Sequence, residues 1–160
     1  MTMHTLLEEL KDAHQALSDY WTSKKSGDTL PSRRDVNPCH LRRYLSHLTI
    51  LEISGGDCEV RLSGGAAKQA FGLKQKARLR SDLRHVESDW WIETALQTAE
   101  AGGPLNGARR ARNGIHVWLR LPMLDTDGTS VVILCHDFLV TSDMGPNRQP
   151  SNPEQLSIAA

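Results

Sequence analysis

Seven histidines, three cysteines and a set of arginines carry whatever polar chemistry this 160-residue chain can perform. A zinc site needs several such ligands converging. The histidines (His4, His14, His40, His47, His85, His116, His136) are scattered instead, with no pair at i, i+4 on a helix and a third in view. Cys135 and His136 are strand neighbours and point to opposite faces, which argues against joint ligation. Cys39, Cys58 and Cys135 are odd in number, widely spaced and lack a CxxC pair, the pattern of reduced thiols and not of a disulfide framework or zinc ribbon. No P-loop, GxSxG, HExxH or GxGxxG occurs. General acid–base work would fall to His116, Trp118 and Asp137, which a small α+β hydrolase or isomerase would need to gather in a deep pocket. Arg61, Arg110 and Arg120 sit beside apolar strand residues and could clamp a carboxylate or phosphate with paired donors. Ion pairs with Glu52, Glu59 or Asp137 are the structural alternative.

The elements that must position these groups are well punctuated. Met3, Leu6, Leu10, Ala13, Leu17 and Tyr20 recur at steps of three and four, which predicts an amphipathic N-terminal helix widened by Leu7, His14 and Trp21. Lys24-Lys25-Ser26-Gly27 ends it. The stripe must be buried on the domain's own sheet or on the same helix of a second copy; under three heptads, it is too short for a stable isolated coiled coil. Two prolines stiffen Leu30 to Pro38, and Asn37-Pro38 can start a short helix reaching Leu45. Leu48–Ile53 and Cys58–Leu62 read as a hairpin across Gly55-Gly56-Asp57. Ala66–Phe71 is one or two helical turns. Ser88–Ala101 is a longer helix with Ser88 as its cap and Gly102-Gly103-Pro104 as its stop. Strands follow at 106–112, 115–121 and 130–140, with Asn113-Gly114 a tight-hairpin signal. Antiparallel strands on either side of the helices predict an α+β domain with one sheet. In the last two strands both alternating sets are largely apolar, as expected when both faces of a sheet are covered.

Charge excludes several classes. Lysine plus arginine equals aspartate plus glutamate at 19 each, so nucleic acid is not an expected partner. Residues 61–120 nonetheless hold eleven basic against five acidic side chains, a solvated face or an anion-binding one. No stretch approaches the roughly 20 apolar residues of a membrane span, and the charged opening MTMHTLLEELKDAHQ is unlike a signal peptide. The expectation is a cytoplasmic protein with no membrane association.

Local sequence narrows the fold. Tyr20-Trp21, Leu30-Pro31-Ser32-Arg33 with Asp35 and Pro38, Leu45-Ser46-His47-Leu48, Leu51-Glu52-Ile53, Arg61 with Gly64, Phe71-Gly72, Leu121-Pro122 and Asp127-Gly128 together resemble a bacterial family of small stand-alone PAS-like proteins. The resemblance runs from about Tyr20 to Val140 and is most specific at Pro31-Ser32-Arg33. It implies a PAS-like five-stranded antiparallel sheet with helices on one face plus the N-terminal amphipathic helix, and a pocket between that face and the helices. The expected organisation is a helix over 1–27 for dimerisation or sheet covering, a PAS-like domain over 28–141, and a disordered tail over 142–160.

The function this implies is a single-domain sensory or signalling module, not an enzyme, that binds a small anionic or amphipathic ligand or a signalling protein. With no output domain in the chain, it must act on a separate target, and a homodimer through the first helix is expected. Candidate ligand residues are Arg61, Phe71, Trp118, Arg120 and His136. Leu6, Leu10, Leu17, Trp21, Pro31, Arg33 and Asp35 form a candidate partner surface or latch, with the Arg33 guanidinium on backbone carbonyls and the Asp35 carboxylate on amides. No cofactor is expected. Haem through His85 is disfavoured by polar Arg80 to Arg84, and the flavin-binding Asn-Cys-Arg-Phe motif is missing from Leu73–Leu83. The alternatives are the hydrolase or isomerase around His116 and Asp137, and a structural interaction domain with a filled core.

Overall fold

The computed structural model describes residues 2–83 and 87–142. Helix α1 (Met3–Lys24) leads through single 3-10 turns at Arg33–Asp35, Pro38–Leu41 and Leu45–His47 into strands β1 (Leu48–Ser54) and β2 (Asp57–Ser63). Helices α2 (Gly65–Phe71), α3 (Leu79–Asp82) and α4 (Ser88–Ala101) follow, then β3 (Leu105–Ala111), β4 (Gly114–Leu124) and β5 (Val131–Val140). The strands form one antiparallel sheet in the order β2-β1-β5-β4-β3, which brings the two ends of the domain together at the β1–β5 pair.

Each face is apolar for a separate reason. Leu51, Val60, Ile133 and Cys135 pack against Ala67, Leu79, Trp91, Ile92 and Ala95 of α2–α4. On the opposite face Leu119, Leu121, Met123, Val132 and Leu134 meet Leu17 and Trp21 of α1 and Leu41 of the turns. The α1 stripe is therefore covered by the chain's own sheet, with Leu10, His14, Leu17 and Trp21 buried. Of the two uses expected for this stripe, covering the sheet is the one seen; the side it leaves outward carries Glu8, Glu9, Lys11, Asp12, Gln15 and Asp19, all exposed.

Three local expectations are revised. The segment after Pro38 forms separated 3-10 turns, not one helix to Leu45. β4 runs past Leu121 through Pro122 to Leu124. The proline is tolerated because β3 begins at Leu105, opposite Arg120, so Pro122 has no β3 residue beside it, and the Pro122 carbonyl accepts the Trp21 indole N–H at 2.7 Å. Ser88 is not the cap of α4, whose capping position is Glu87. Its hydroxyl instead donates to the carbonyls of Leu79 and Leu83 at 2.7 and 3.0 Å, tying α4 to α3.

Candidate functional site

The candidate ligand residues divide among three places. Phe71, Trp118 and Arg120 lie together on the α2–α4 face; His136 is on the α1 face; Arg61 is beyond both, on β2. The β4–β5 register sets this division, pairing Trp118 with Asp137 and Arg120 with Cys135 on one face, and Leu119 with His136 on the other.

On the α2–α4 face Arg120 and Asp137 are both fully buried, and His116 is 1 % exposed. Arg120 Nη1 donates to Asp137 Oδ2 at 3.0 Å and to the Leu119 carbonyl at 2.9 Å. Its Nη2 lies 2.9 Å from Oδ1 as a charge contact, outside hydrogen-bonding geometry, and Nε has no hydrogen-bond partner among the described residues. Aromatic faces surround the guanidinium instead, with ring centroids at 4.7 Å (Trp91), 5.4 Å (Trp90) and 5.6 Å (Trp118) from its central carbon. His116 Nε2 is 2.6 Å from Asp137 Oδ1. Burial opposes a charge on Asp137, but Arg120 and the hydrogen bond from His116 hold its carboxyl below the ordinary range. An ionised carboxylate only accepts, so the proton of this bond sits on His116 Nε2. Phe71 closes the cage 4.4 Å from the His116 ring. Trp118 lies flat over Gly107, where a Cβ would be 2.9 Å from its ring.

The space where a pocket was expected is therefore filled by packed side chains. His116 and Asp137 are hydrogen-bonded, as the hydrolase reading required, but inside the core and not across a solvent-open cleft.

On the α1 face His14 Nε2 and His136 Nδ1 share a 2.9 Å hydrogen bond. His47 stacks on Phe138 at 4.7 Å beside them. Burial lowers His14 to about 4 and His136 to about 3, and lowers His47 as well. These neutral rings seat the middle of α1 on β5. Among the described residues no group of three or more His, Cys, Asp or Glu side chains is arranged to hold a metal ion. His85 lies outside the described residues, as does the expected tail from Asp143 onward.

Arg61 forms an ion pair with Glu52 and lies 3.9 Å from Asp125, the structural alternative for this arginine and not a free clamp. Asp125 also receives Arg33, at 3.4 Å. Arg33 thus meets a carboxylate, not the expected backbone carbonyls. Asp35 is exposed, and no hydrogen bond to its carboxylate is found among the described residues. The latch is made by the backbone: Leu124 N–H donates to the Pro31 carbonyl at 2.9 Å, and Ser32 bridges Leu124 in parallel.

Beside this latch the structure opens a groove that the sequence did not indicate. It encloses about 360 Å³ between the turns at 33–47 and the ends of β1 and β2. Nine of its lining residues are apolar, among them Leu41, Leu45, Leu48, Leu62, Met123 and Leu134; Arg33 is its single charged residue. Leu45 and Leu62 are each 43 % exposed, and they form its mouth. Gly64 lets the backbone close the floor, since a Cβ there would sit 2.1 Å from the Leu45 carbonyl oxygen. Its one trace in the sequence is Val36, Leu41 and Leu45, apolar residues on a proline-stiffened segment with no periodicity to bury them, which do not by themselves define a groove.

The sheet order, the helices that follow β2 in the chain and pack on one face, and the long α1 on the other define an α+β sensor-type domain. The PAS domain family matches residues 10–105, and the chain belongs to it. Members of that family are, in general, sensory and signalling modules. The match ends at the first residue of β3, and the structure supplies the remaining strands of the sheet. No curated protein matches the chain. No helix among the described residues is long and apolar enough to cross a membrane.

Proposed function

We propose that this PAS domain signals by binding a small, largely apolar ligand in the groove between the 33–47 turns and the β1–β2 end of the sheet, and not in the space under α2–α4. The observation that carries this reading is the groove itself: about 360 Å³, apolar on nearly every wall, with one cation at its end. That volume falls in the range of small-molecule sites, which are mostly apolar with a few polar groups fixing orientation. A cleft of about 330 Å³ beside Phe71 and Trp91 has Glu87 and Arg112 in its lining and lacks the groove's apolar walls, and Arg120 itself is fully buried.

The groove is also placed to transmit occupancy. Met123 and Leu134 line it and belong to the cluster that seats Leu17 and Trp21 of α1. A ligand that shifts these two side chains changes the packing of α1. The charged outer side of that helix then presents the signal to a protein partner in the cytoplasm. The proposed function is binding and not catalysis, a reading supported by the burial of His116 and Asp137, the candidate acid–base pair.

Native mass spectrometry of the purified protein, with an absorption spectrum and an organic extract, tests the reading. The expected result is a colourless co-purifying molecule of a few hundred daltons, lost on filling the groove mouth with Leu62→Trp. Retention of that molecule by the Leu62→Trp protein would overturn it.

A further inference from the structure

We infer that the groove selects an unbranched aliphatic monocarboxylate, with its chain along the leucine walls and its carboxylate on Arg33. This rests on reading the groove as the ligand site and adds the chemical class. The walls contain no aromatic residue, so nothing rewards a planar ring by stacking. The lining contains no acidic side chain either; the nearest carboxylate to Arg33 is Asp125, whose contact the head group would replace.

Arg33 is suited to receive the head group. Its hydrogen bond to Asp125 is 3.4 Å long, near the limit for such a bond, and the side chain is 24 % exposed. A guanidinium presents paired N–H donors that match a planar carboxylate in two parallel bonds, shorter and stronger than this single contact. Asp125 is not stranded by the exchange, since it retains the Thr126 N–H at 2.8 Å and the nearby Arg61. Arg61 does not compete for the ligand, being engaged by Glu52. The head group therefore exchanges one weak contact for a forked one while the chain displaces water from apolar walls.

Isothermal titration calorimetry with hexanoate, octanoate and 1-octanol tests this on the full chain, with Arg33→Gln and Leu62→Trp as variants at partly exposed positions. Each methylene buried should tighten binding about fourfold, so octanoate should bind about sixteenfold more tightly than hexanoate. Octanol should bind at least about tenfold more weakly than octanoate, the lower end of what a charge-assisted pair contributes. Arg33→Gln should bring octanoate to the level of octanol and leave octanol unmoved. Leu62→Trp should weaken both. If octanol matches octanoate and Arg33→Gln moves neither, while Leu62→Trp weakens both, the groove binds apolar ligands and the carboxylate class is wrong. If none of the three binds, or Leu62→Trp changes nothing, the groove is not the ligand site and the inference falls with it.

Discussion

Replacing Asp137 by Asn tests whether charge holds the centre of the domain together. The Arg120 guanidinium is wholly buried, two of its nitrogens lack hydrogen bonds, and Asp137 supplies its only counter-charge within ion-pair distance among the described residues. Asn keeps the shape and can still accept one hydrogen bond, but leaves a buried cation uncompensated. Breaking such a pair costs about 3–5 kcal/mol. A domain of this size has about 5–15 kcal/mol in total, so the variant should remain folded with little margin or unfold. In urea, with a denaturant slope of about 2 kcal/mol per M, the middle of the usual range, the midpoint should fall by about 2 M. Adding Arg120→Met removes the orphaned charge and should restore most of the loss, less the cation–π contribution of the tryptophan cage, about 1–2 kcal/mol. A loss under about 1 kcal/mol for Asp137→Asn, or a double variant no better than the single one, would refute the assignment of a charge-compensated core.

The histidine cluster predicts acid sensitivity with a definite sign. Folding depresses the pKa of His14 to about 4 and of His136 to about 3 through burial, so the unfolded chain binds more protons below its own value near 6.5. Stability should be flat above pH 6.5 and fall as pH drops toward 4, by about 1.4 kcal/mol per pH unit for each of these two histidines; a His14→Leu/His136→Leu protein should lose their share of the slope in urea titrations at pH 7 to 4.5 and keep that of His47. Cys58 is buried with its thiol pushed up to about 12, Cys135 is buried and raised further, and Cys39 is exposed. A thiol reagent should therefore titrate one cysteine in the native protein and three in denaturant, with Cys39→Ser abolishing the native reaction. Trp21→Phe keeps the apolar ring but removes the donor to the Pro122 carbonyl. It should cost about 1–3 kcal/mol by calorimetry and loosen α1 in hydrogen exchange.

Much of the architecture was legible because it is local. The α1 stripe, the Gly-Gly-Asp and Asn-Gly hairpins and the helix ending at Gly102 each depend on neighbours in sequence, and the order of strands and helices follows from them. The core centre was half legible. Arg120 and Asp137 were visible as charges on apolar strands, but nothing local shows that Trp90 and Trp91, inside the predicted 88–101 helix, face Arg120. Knowing that Trp118 stands opposite Asp137 requires the β4–β5 register, which the turn at 125–128 does not fix by itself. The groove was not legible. Its walls come from the 33–47 turns, β1, β2, β4 and β5, and only long-range packing assembles them. Asp125 was missed for the same reason: only the folded chain joins it to Arg33 of the linker and Arg61 of β2.

The most direct test of the central claim is an isotope-filtered NMR experiment on methyl-labelled protein with octanoate, locating the bound chain by its contacts. Contacts from the aliphatic protons to the methyls of Leu41, Leu62 and Met123, with accompanying shifts at Leu17, would bear out a ligand groove coupled to α1. Contacts only to residues near Phe71, or no transferred contacts at saturating ligand, would contradict it.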